Sequence, residues 1–249
     1  MEEYAYVTPL LASAFYLIAS VRLFDLHRRT DERPELLLAL YFALSGLFYL
    51  GYNIPSLFQF DAWPPLVGIA IEWVYNLGVF PYLFFIRSVF RSDDAWAGWL
   101  VGVCSMLLLA GGLMLTAAGS VDYSLSNPWF IVQWIGYTTP CAWMCWEAML
   151  ARHGAQKRAR LGLSQPLVVN RYLLLALFGG FQVLACLSDL SLANDISSTQ
   201  AVSTISNVLV GGTEIASVAV LWLAFLPPRF YRRWIDGRAA LRSAPAEEG

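Results

Sequence analysis

The dominant pattern along the chain is a series of long apolar runs separated by short polar segments. Each run has about 20 residues or more, the length that an α-helix needs to cross a hydrocarbon core of roughly 30 Å. The runs do not alternate with a period of two residues, as the strands of a membrane β-barrel would. The sequence therefore predicts an all-α membrane protein with seven spanning helices. They occupy residues 4–26, 35–54, 65–86, 95–118, 129–150, 171–191 and 202–226.

Composition supports this class. Apolar residues make up 58% of the 249 positions and charged residues only 14%, whereas about a quarter of a typical soluble domain is charged. A soluble nucleic-acid-binding protein, a secreted disulfide scaffold and a disordered regulator are therefore excluded. We expect residues 1–236 to form a single seven-helix domain and residues 237–249 to form a short polar tail.

The basic residues are sorted by side. When the predicted loops are placed alternately on two sides of a membrane, all sixteen fall on one side and none on the other. The positive-inside rule then predicts an N-terminus outside, a C-terminus in the cytoplasm and residence in the cell membrane, which would be the inner membrane if the cell is Gram-negative. The fifteen arginines and one lysine are Arg22, Arg28, Arg29, Arg33, Arg87, Arg91, Arg152, Lys157, Arg158, Arg160, Arg171, Arg229, Arg232, Arg233, Arg238 and Arg242.

The predicted spans lack the residues that several kinds of catalytic chemistry require. His27 and His153 both lie in predicted cytoplasmic loops, so no histidine is available inside the bilayer as a base or metal ligand. The four cysteines fall inside the spans, where a free cysteine usually behaves as a small apolar residue. Lys157 lies outside the spans, so no lysine can form a retinal Schiff base. We expect a protein that is not an enzyme and has no cofactor, with neither a metal site nor a haem ligand set.

Four acidic residues lie within the apolar runs, where an ionisable group costs roughly 2.5–3.5 kcal/mol and is a candidate functional residue. Glu147 is one turn from Arg152 at the cytoplasmic end of helix five, so we expect it to lie at the interface or to pair with that arginine. Asp189 is near the outer end of helix six. Glu72 and Glu214 lie deeper and have no basic residue at the same depth. We expect both to face the bundle interior, to line one cavity, and at least one of them to be protonated.

Helical spacing groups six polar side chains into stripes on helices three, six and seven. They predict a polar pocket among these helices that opens outward and binds a small molecule or a lipid. The alternative is that the stripes only form hydrogen bonds between helices, at about 0.6 kcal/mol each. The six residues are Glu72, Asn76, Gln182, Asp189, Asn207 and Glu214.

Helices three and seven also end in arginines on the predicted cytoplasmic side. We expect these arginines to form a basic face that contacts a membrane or cytoplasmic protein partner. The alternative is that they only fix topology and touch anionic lipid. The face consists of Arg87, Arg91, Arg229, Arg232 and Arg233.

An internal repeat is a further prediction. Glu72 precedes Arg87 by the same fifteen residues that separate Glu214 from Arg229, and the sequence Leu-Leu-Leu-Ala-Leu occurs at residues 36–40 and 173–177. The pattern indicates three helices, one linking helix and three more, as in parallel-repeat transporters. In size, topology and repeat the chain is similar to the SWEET sugar transporters, which implies the transport of a small solute.

In layout the chain resembles the seven-helix module of bacterial signalling receptors. The shared features are a basic loop before Arg33-Pro34-Glu35, the sequence Phe84-Phe85-Ile86-Arg87 at the end of helix three, and Asn170-Arg171-Tyr172 at the start of helix six. The resemblance implies a sensor that binds a ligand in its outer half and relays the signal to a separate partner.

A shorter stretch, residues 133–140, resembles the third helix of microbial rhodopsins. It reads Gln-Trp-Ile-Gly-Tyr-Thr-Thr-Pro and is followed by Glu147. Gln133 stands where the rhodopsin motif has an acid, the spacing is one residue longer, and the stretch belongs to the fifth helix. Without a lysine in the bundle, this resemblance does not lead to a retinal pigment.

Overall fold

The computed structural model describes residues 2–58, 63–117, 123–194 and 200–243, with side chains omitted at 2–9, 56–57, 191–194, 200–210, 236 and 238–243. Within these ranges every regular element is an α-helix, so the all-α prediction is confirmed there. The eight helices are α1 (Glu2–Thr30), α2 (Arg33–Phe58), α3 (Pro65–Phe90), α4 (Ala95–Thr116), α5 (Pro128–Arg160), α6 (Pro166–Asn194), α7 (Gln200–Phe225) and α8 (Arg229–Ser243).

Local sequence sets the ends of α5. Pro128 occupies the first helical position, where its missing N–H is not needed, and the Asn127 side chain accepts a hydrogen bond from the Trp129 backbone nitrogen at 3.1 Å. At the other end Gly162 adopts a positive φ of 72°. Its N–H donates to the carbonyl of Ala159, and the next N–H donates to that of Arg158. This Schellman motif satisfies two of the terminal carbonyls.

Six of the long helices form a closed ring in the order α1, α2, α3, α5, α6, α7, since α7 packs back against α1. The helix α4 packs outside this ring against α3 and α5. Consecutive helices joined by short links run antiparallel, so the links at 31–32, 91–94, 161–165 and 226–228 lie at one end of the bundle. We call it the basic end, because Arg91, the arginines of the adjoining helix ends and those of α8 lie there.

Aromatic side chains fill the ring toward the basic end. Tyr41 and Tyr82 stack with ring centroids 4.9 Å apart, and Phe178 of α6 meets the edge of Tyr82 at 5.7 Å. Phe85 of α3 contacts Phe225 of α7 at 6.2 Å. Tyr82, Phe85 and Phe178 are at most 1% exposed. The interior of this half is therefore a packed core in which α2, α3, α6 and α7 meet.

Within the described ranges, five helical segments are long and apolar enough to cross a membrane, and a sixth qualifies if two segments joined by a 76° bend count as one. The chain is therefore an α-helical membrane protein. The helix α5 is not among these candidates, since its interior contains Gln, Tyr and several Trp and its last turn is basic. The candidates are Leu10–Thr30, Arg33–Pro55, Pro65–Phe90, Ala95–Thr116 and Pro166–Leu190, with Gly211–Phe225 plus Arg229–Ile235 as the bent pair.

Most helices extend a few residues beyond their predicted spans, and two differences are larger. The helix α5 continues ten residues past the predicted end at 150, because Ala, Arg, Lys and Gln in 151–160 favour helix whether or not they are in a membrane. The segment 237–243, predicted as part of a polar tail, belongs to α8. Hydropathy locates the apolar part of a helix, and polar residues extend the helix beyond it.

Candidate functional site: two buried carboxylate clusters

The first candidate site surrounds Glu72, and we call Glu72, Asn76, Tyr123 and Gln133 the Glu72 cluster. The Tyr123 hydroxyl donates a hydrogen bond to Glu72 Oε2 at 2.6 Å. The Gln133 amide nitrogen donates to Glu72 Oε1 at 3.0 Å and to the Asn76 side-chain oxygen at 2.8 Å. Glu72 is 6% exposed, and Asn76 and Gln133 are 1% exposed. Both oxygens of a buried carboxylate are thus held by neutral donors.

Close contact between α4 and α5 brings Gln133 to this site. A Cβ placed on Gly111 would lie 2.7 Å from the backbone nitrogen and the Cβ of Gln133, so no larger residue fits there without a shift. The neighbouring Gly112 faces the Asn76 amide at 3.3 Å, also from the position of a built Cβ. Glycine at both positions allows the Gln133 amide to lie between Glu72 and Asn76.

Tyr123 belongs to the link between α4 and α5 and covers the Glu72 cluster from the end opposite the basic end. Its ring contacts Phe130 edge to face at 5.9 Å, and the residue is 40% exposed. Burial of the hydroxyl, reinforced by the neighbouring Glu72 carboxylate, raises the pKa of Tyr123 well above its ordinary value. The phenol therefore keeps its proton and serves as a hydrogen-bond donor throughout the physiological pH range.

The second candidate site surrounds Glu214, and we call Tyr16, Gln182 and Glu214 the Glu214 cluster. The Tyr16 hydroxyl donates a short hydrogen bond to Glu214 Oε2. The Gln182 amide nitrogen donates to the same oxygen at 3.2 Å and to the Tyr16 hydroxyl oxygen at 3.4 Å. The three residues are 1%, 4% and 4% exposed. One carboxylate therefore connects α1, α6 and α7.

Rings of α1 and α2 enclose the Glu214 cluster. Tyr16 stacks on Tyr49 with centroids 5.6 Å apart and an interplanar angle of 13°. It also contacts Phe42 at 5.4 Å and the edge of Tyr41 at 6.5 Å. These contacts fix the direction of the Tyr16 hydroxyl, so the donor is positioned before any ligand or proton arrives.

Among the described side chains, the polar residues of helices three, six and seven form two separate clusters and do not line the single pocket that was expected. Glu72 and Asn76 face α4 and α5, whereas Gln182 and Glu214 face each other and α1. The two carboxylates share no hydrogen-bond partner in the part of the chain described. The physical reason is the rotation of α3 about its axis, since its polar stripe faces Gly111, Gly112 and Gln133 instead of α6.

The two remaining predicted pocket residues are Asp189 and Asn207. Asp189, on the same face of α6 as Gln182, is half-buried and close enough to Glu214 and Tyr123 to interact with both electrostatically. It therefore lies between the two clusters. The side chain of Asn207 falls outside the described residues.

Sequence reasoning missed three donors of the two clusters. Gln133 was noted only for its place in the rhodopsin-like stretch, although a glutamine inside an apolar run is itself a signal for a buried hydrogen bond. Tyr16 is one of twelve tyrosines, and nothing in its neighbours distinguishes it. Tyr123 lies in a link between helices, where no helical period can assign it to a face.

Glu147 has a basic partner, but a different one from the arginine expected. The Arg91 guanidinium donates from Nε to Glu147 Oε1 at 3.0 Å and from Nη1 to Asp94 Oδ2 at 3.1 Å. Trp143 Nε1 also donates to Glu147, at 3.3 Å. These hydrogen bonds, with Glu147 first and Asp94 second, raise the pKa of Arg91. Arg152, the expected partner, does not form this pair.

The predicted basic face is divided among three places. Arg91 turns inward to Glu147, so it is not presented to a partner. Arg87 lies over Gly98 of α4, with its guanidinium carbon 3.5 Å from a built Cβ. Arg229, Arg232 and Arg233 are exposed on α8, which makes a 76° bend with α7. Only these last three form one exposed surface.

Among the described residues, no group of three or more His, Cys, Asp or Glu side chains is arranged to hold a metal ion. No protein-family model, curated protein or solved structure matches the chain. The geometry of the two clusters is therefore the basis for a function.

Proposed function

We propose that this protein is a seven-helix membrane sensor in which the Glu214 cluster responds to a proton or a small polar ligand. In this proposal α1 to α7 each cross the membrane, with the N-terminus outside and the C-terminus in the cytoplasm. The sorting of sixteen basic residues to the basic end supports this orientation. A cytoplasm-active reporter fused after Gly249 should work and a periplasm-active one should not, and the reverse result would overturn the orientation.

The observation that carries the proposal is the bonding of Glu214. One oxygen of a buried carboxylate accepts hydrogen bonds from Tyr16 on α1 and Gln182 on α6, with no basic side chain in the cluster. Any proton or ligand that occupies this oxygen competes with one of the two donors. Such an event would change the bonding among three helices at once, as a switch between two arrangements requires.

The relay to the cytoplasm would use α7 and α8. Glu214 lies near the middle of α7, which ends at Phe225 and bends by 76° into α8. Arg229, Arg232 and Arg233 are exposed on α8 and can meet an acidic surface of a partner protein. Neutralising Arg232 and Arg233 together should abolish signalling while leaving the bundle folded. Full activity of that double variant would contradict the relay.

The test of the switch is a distance measurement. Spin labels on Gly237→Cys in α8 and Ser164→Cys between α5 and α6 report movement of α8, with Cys145 replaced by Ser because it is the half-buried native cysteine. In liposomes we expect the label distance to change between alkaline and acidic buffer. Glu214→Gln should fix the distance at its acidic value.

The matched control for this test is Glu72→Gln, which makes the same chemical change at the other cluster. It should keep the wild-type response, because the Glu72 cluster has no bond to α6 or α7 among the described residues. A distance that is the same at every pH in the wild-type protein and in Glu214→Gln would overturn the proposal.

A second candidate function is the transport of a small solute, and one feature of the ring favours it. The helices divide into α1–α3 and α5–α7 with α4 outside, and each acid bonds across the same kind of boundary. Glu72 on α3 meets Gln133 on α5, and Glu214 on α7 meets Tyr16 on α1. In both cases the last helix of one triplet forms a hydrogen bond with the first helix of the other. This correspondence between the triplets supports a parallel repeat.

Transport is tested by flux. Proteoliposomes containing the protein should exchange radiolabelled glucose or sucrose across the membrane if the chain works as the SWEET transporters do. Glu72→Gln and Glu214→Gln should then both reduce the exchange, because the repeat places them in equivalent positions. Absence of exchange with an intact pH-dependent distance change would favour sensing.

A further inference from the structure

A groove of about 470 Å³ lies on the outside of the bundle, between the beginning of α2 and the end of α3. Its volume is within the range of small-molecule sites, roughly 300–1,000 Å³. The groove is separate from both carboxylate clusters. Its walls are Arg33, Leu36, Leu37, Phe84, Arg87, Ser88 and Ser92.

The polar and apolar residues of this groove are separated along the helix axes. Arg33 begins α2, and Leu36 and Leu37 follow one turn further into the bundle. On α3, Phe84 lies about one turn deeper than Ser88, at 1.5 Å per residue. The groove is thus basic at the end of the bundle and apolar toward its middle. An amphiphile with an anionic head and an apolar chain has the same order of groups.

The two arginines are available to an anion. Neither Arg33 nor Arg87 forms an ion pair with an acidic side chain in the described ranges, whereas Arg91, four residues after Arg87, has two. Arg33 is exposed and Arg87 is half-buried over Gly98. Arginine presents a planar fork of donors that matches the oxygens of a phosphate group.

We propose that this groove binds one anionic phospholipid, whose phosphate lies between Arg33 and Arg87 and whose acyl chain lies along Leu36, Leu37 and Phe84. The Ser92 hydroxyl adds a donor at the headgroup. Ser88 lines the same part of the groove, with its hydroxyl donating to the Phe85 carbonyl at 2.9 Å. Phe84 is 46% exposed, and a bound acyl chain covers part of that surface. The apolar half of the groove is the reason for a lipid as the occupant, because a free phosphate ion would use only the basic half.

The lipid would join two helices that the carboxylate clusters do not join. Arg33 belongs to α2 and Arg87 to α3, and a phosphate held by both restrains these helix ends relative to each other. The site goes beyond the sensor and transporter proposals and does not depend on either of them. Glu72→Gln and Glu214→Gln should therefore leave it unchanged.

The proposal is tested by mass spectrometry of the intact protein in detergent, with phosphatidylglycerol or with phosphatidylcholine of the same acyl chains. We expect one phosphatidylglycerol to be retained preferentially. Arg33→Gln with Arg87→Gln should weaken that binding about tenfold or more, a loss of about 1.4 kcal/mol. Arg158→Gln with Arg160→Gln removes two exposed charges elsewhere and should have no such effect. Equal loss in both double variants would mean that only net charge matters and would overturn the site.

If the Arg33→Gln with Arg87→Gln variant unfolds, two further measurements test the lipid site. Arg33→Lys with Arg87→Lys keeps the charges and should retain preferential binding with lower affinity. In the second, Ser88→Cys should react with a maleimide more slowly when phosphatidylglycerol is present than with phosphatidylcholine. Inorganic phosphate should not give this protection. Protection by inorganic phosphate, or none from phosphatidylglycerol, would show that the groove does not hold the lipid.

Discussion

Buried acids in this bundle are stabilised in two different ways. At the basic end Glu147 is bound by the cationic Arg91. In the middle of the bundle and toward the opposite end, Glu72 and Glu214 are bound by neutral tyrosine and glutamine side chains. The partner of Glu147 is a charge, whereas the partners of the two interior acids are neutral. The comparison indicates that Glu147 belongs to a structural ion pair, and that the described donors to the two interior acids are uncharged.

The largest expected effect comes from breaking the helix contacts on which the interior clusters depend. A Cβ on Gly111 would lie 2.7 Å from Gln133, and one on Gly179 would lie 2.6 Å from the backbone nitrogen of Cys145. Gly111→Ala and Gly179→Ala should each lower the free energy of unfolding by about 1–3 kcal/mol. Gly102→Ala is the control, since a built Cβ there meets nothing within 4 Å. Thermal unfolding in detergent measures all three, and equal effects would contradict the contacts.

The next effect distinguishes the two interior clusters. Tyr16→Phe removes a donor from a site closed to water, so it should cost about 1–3 kcal/mol. Tyr123→Phe should cost less, because Tyr123 is 40% exposed and water can replace its hydroxyl. Urea unfolding of the two variants gives the difference. A double-mutant cycle of Tyr16→Phe with Glu214→Gln should show coupling, and additive effects would mean that the Tyr16 hydroxyl does not serve Glu214.

Replacing each acid by glutamine should lower the unfolding temperature by different amounts at the basic end and in the interior. Glu147→Gln replaces an ionic hydrogen bond to Arg91 by a neutral one and leaves Asp94 as the acidic partner, so the variant should unfold at a lower temperature than the wild type. Glu72→Gln and Glu214→Gln should change the unfolding temperature less, since an amide oxygen still accepts from Tyr123, Tyr16 or Gln182. A larger loss at Glu214 than at Glu147 would reverse the comparison.

The smallest effect is a pH dependence at Tyr123. Its pKa is raised in the folded protein, so the proton is held more tightly folded than unfolded. The stability from this group is complete below a pH of about 10, the ordinary tyrosine value, and is lost as the pH rises above it. Alkaline unfolding curves of the wild type should therefore be steeper than those of Tyr123→Phe. Identical curves would show that the phenol is not buried against Glu72.

The helices were predictable because their signals are local. Apolar runs, the proline at 128 and the asparagine before it define α5 without any tertiary information. The pairing of Glu72 with Asn76 follows from helical spacing in the same way. The partners across helices were not predictable, since spacing assigns residues to a face of α3 but does not say which neighbour that face meets. The sequence favoured α6 and α7, and the close contact at Gly111 places α4 and α5 there instead.

The arginines at the basic end show that a count of charges has the same limit as helical spacing, since it does not identify the partners of a residue. Loop counting places Arg87 and Arg91 together, and they are four residues apart on one chain segment. Their environments differ because Arg91 comes after the last residue of α3 and turns toward Glu147, while Arg87 remains on the helix surface over Gly98. A count of charges predicts the side of the membrane and cannot predict which arginine is neutralised by an acid.

The 76° bend between α7 and α8 makes α8 a lever arm. Its fifteen residues span about 22 Å at 1.5 Å per residue. Because α8 lies nearly perpendicular to α7, a rotation of α7 by about 10° around its own axis would move the far end of α8 sideways by roughly 4 Å. The hydrogen bond from the Asn170 amide to the Tyr231 hydroxyl, at 2.9 Å, restrains this arm near its pivot. In the sensor proposal, a small twist at Glu214 would thereby become a displacement large enough to separate two surfaces in van der Waals contact.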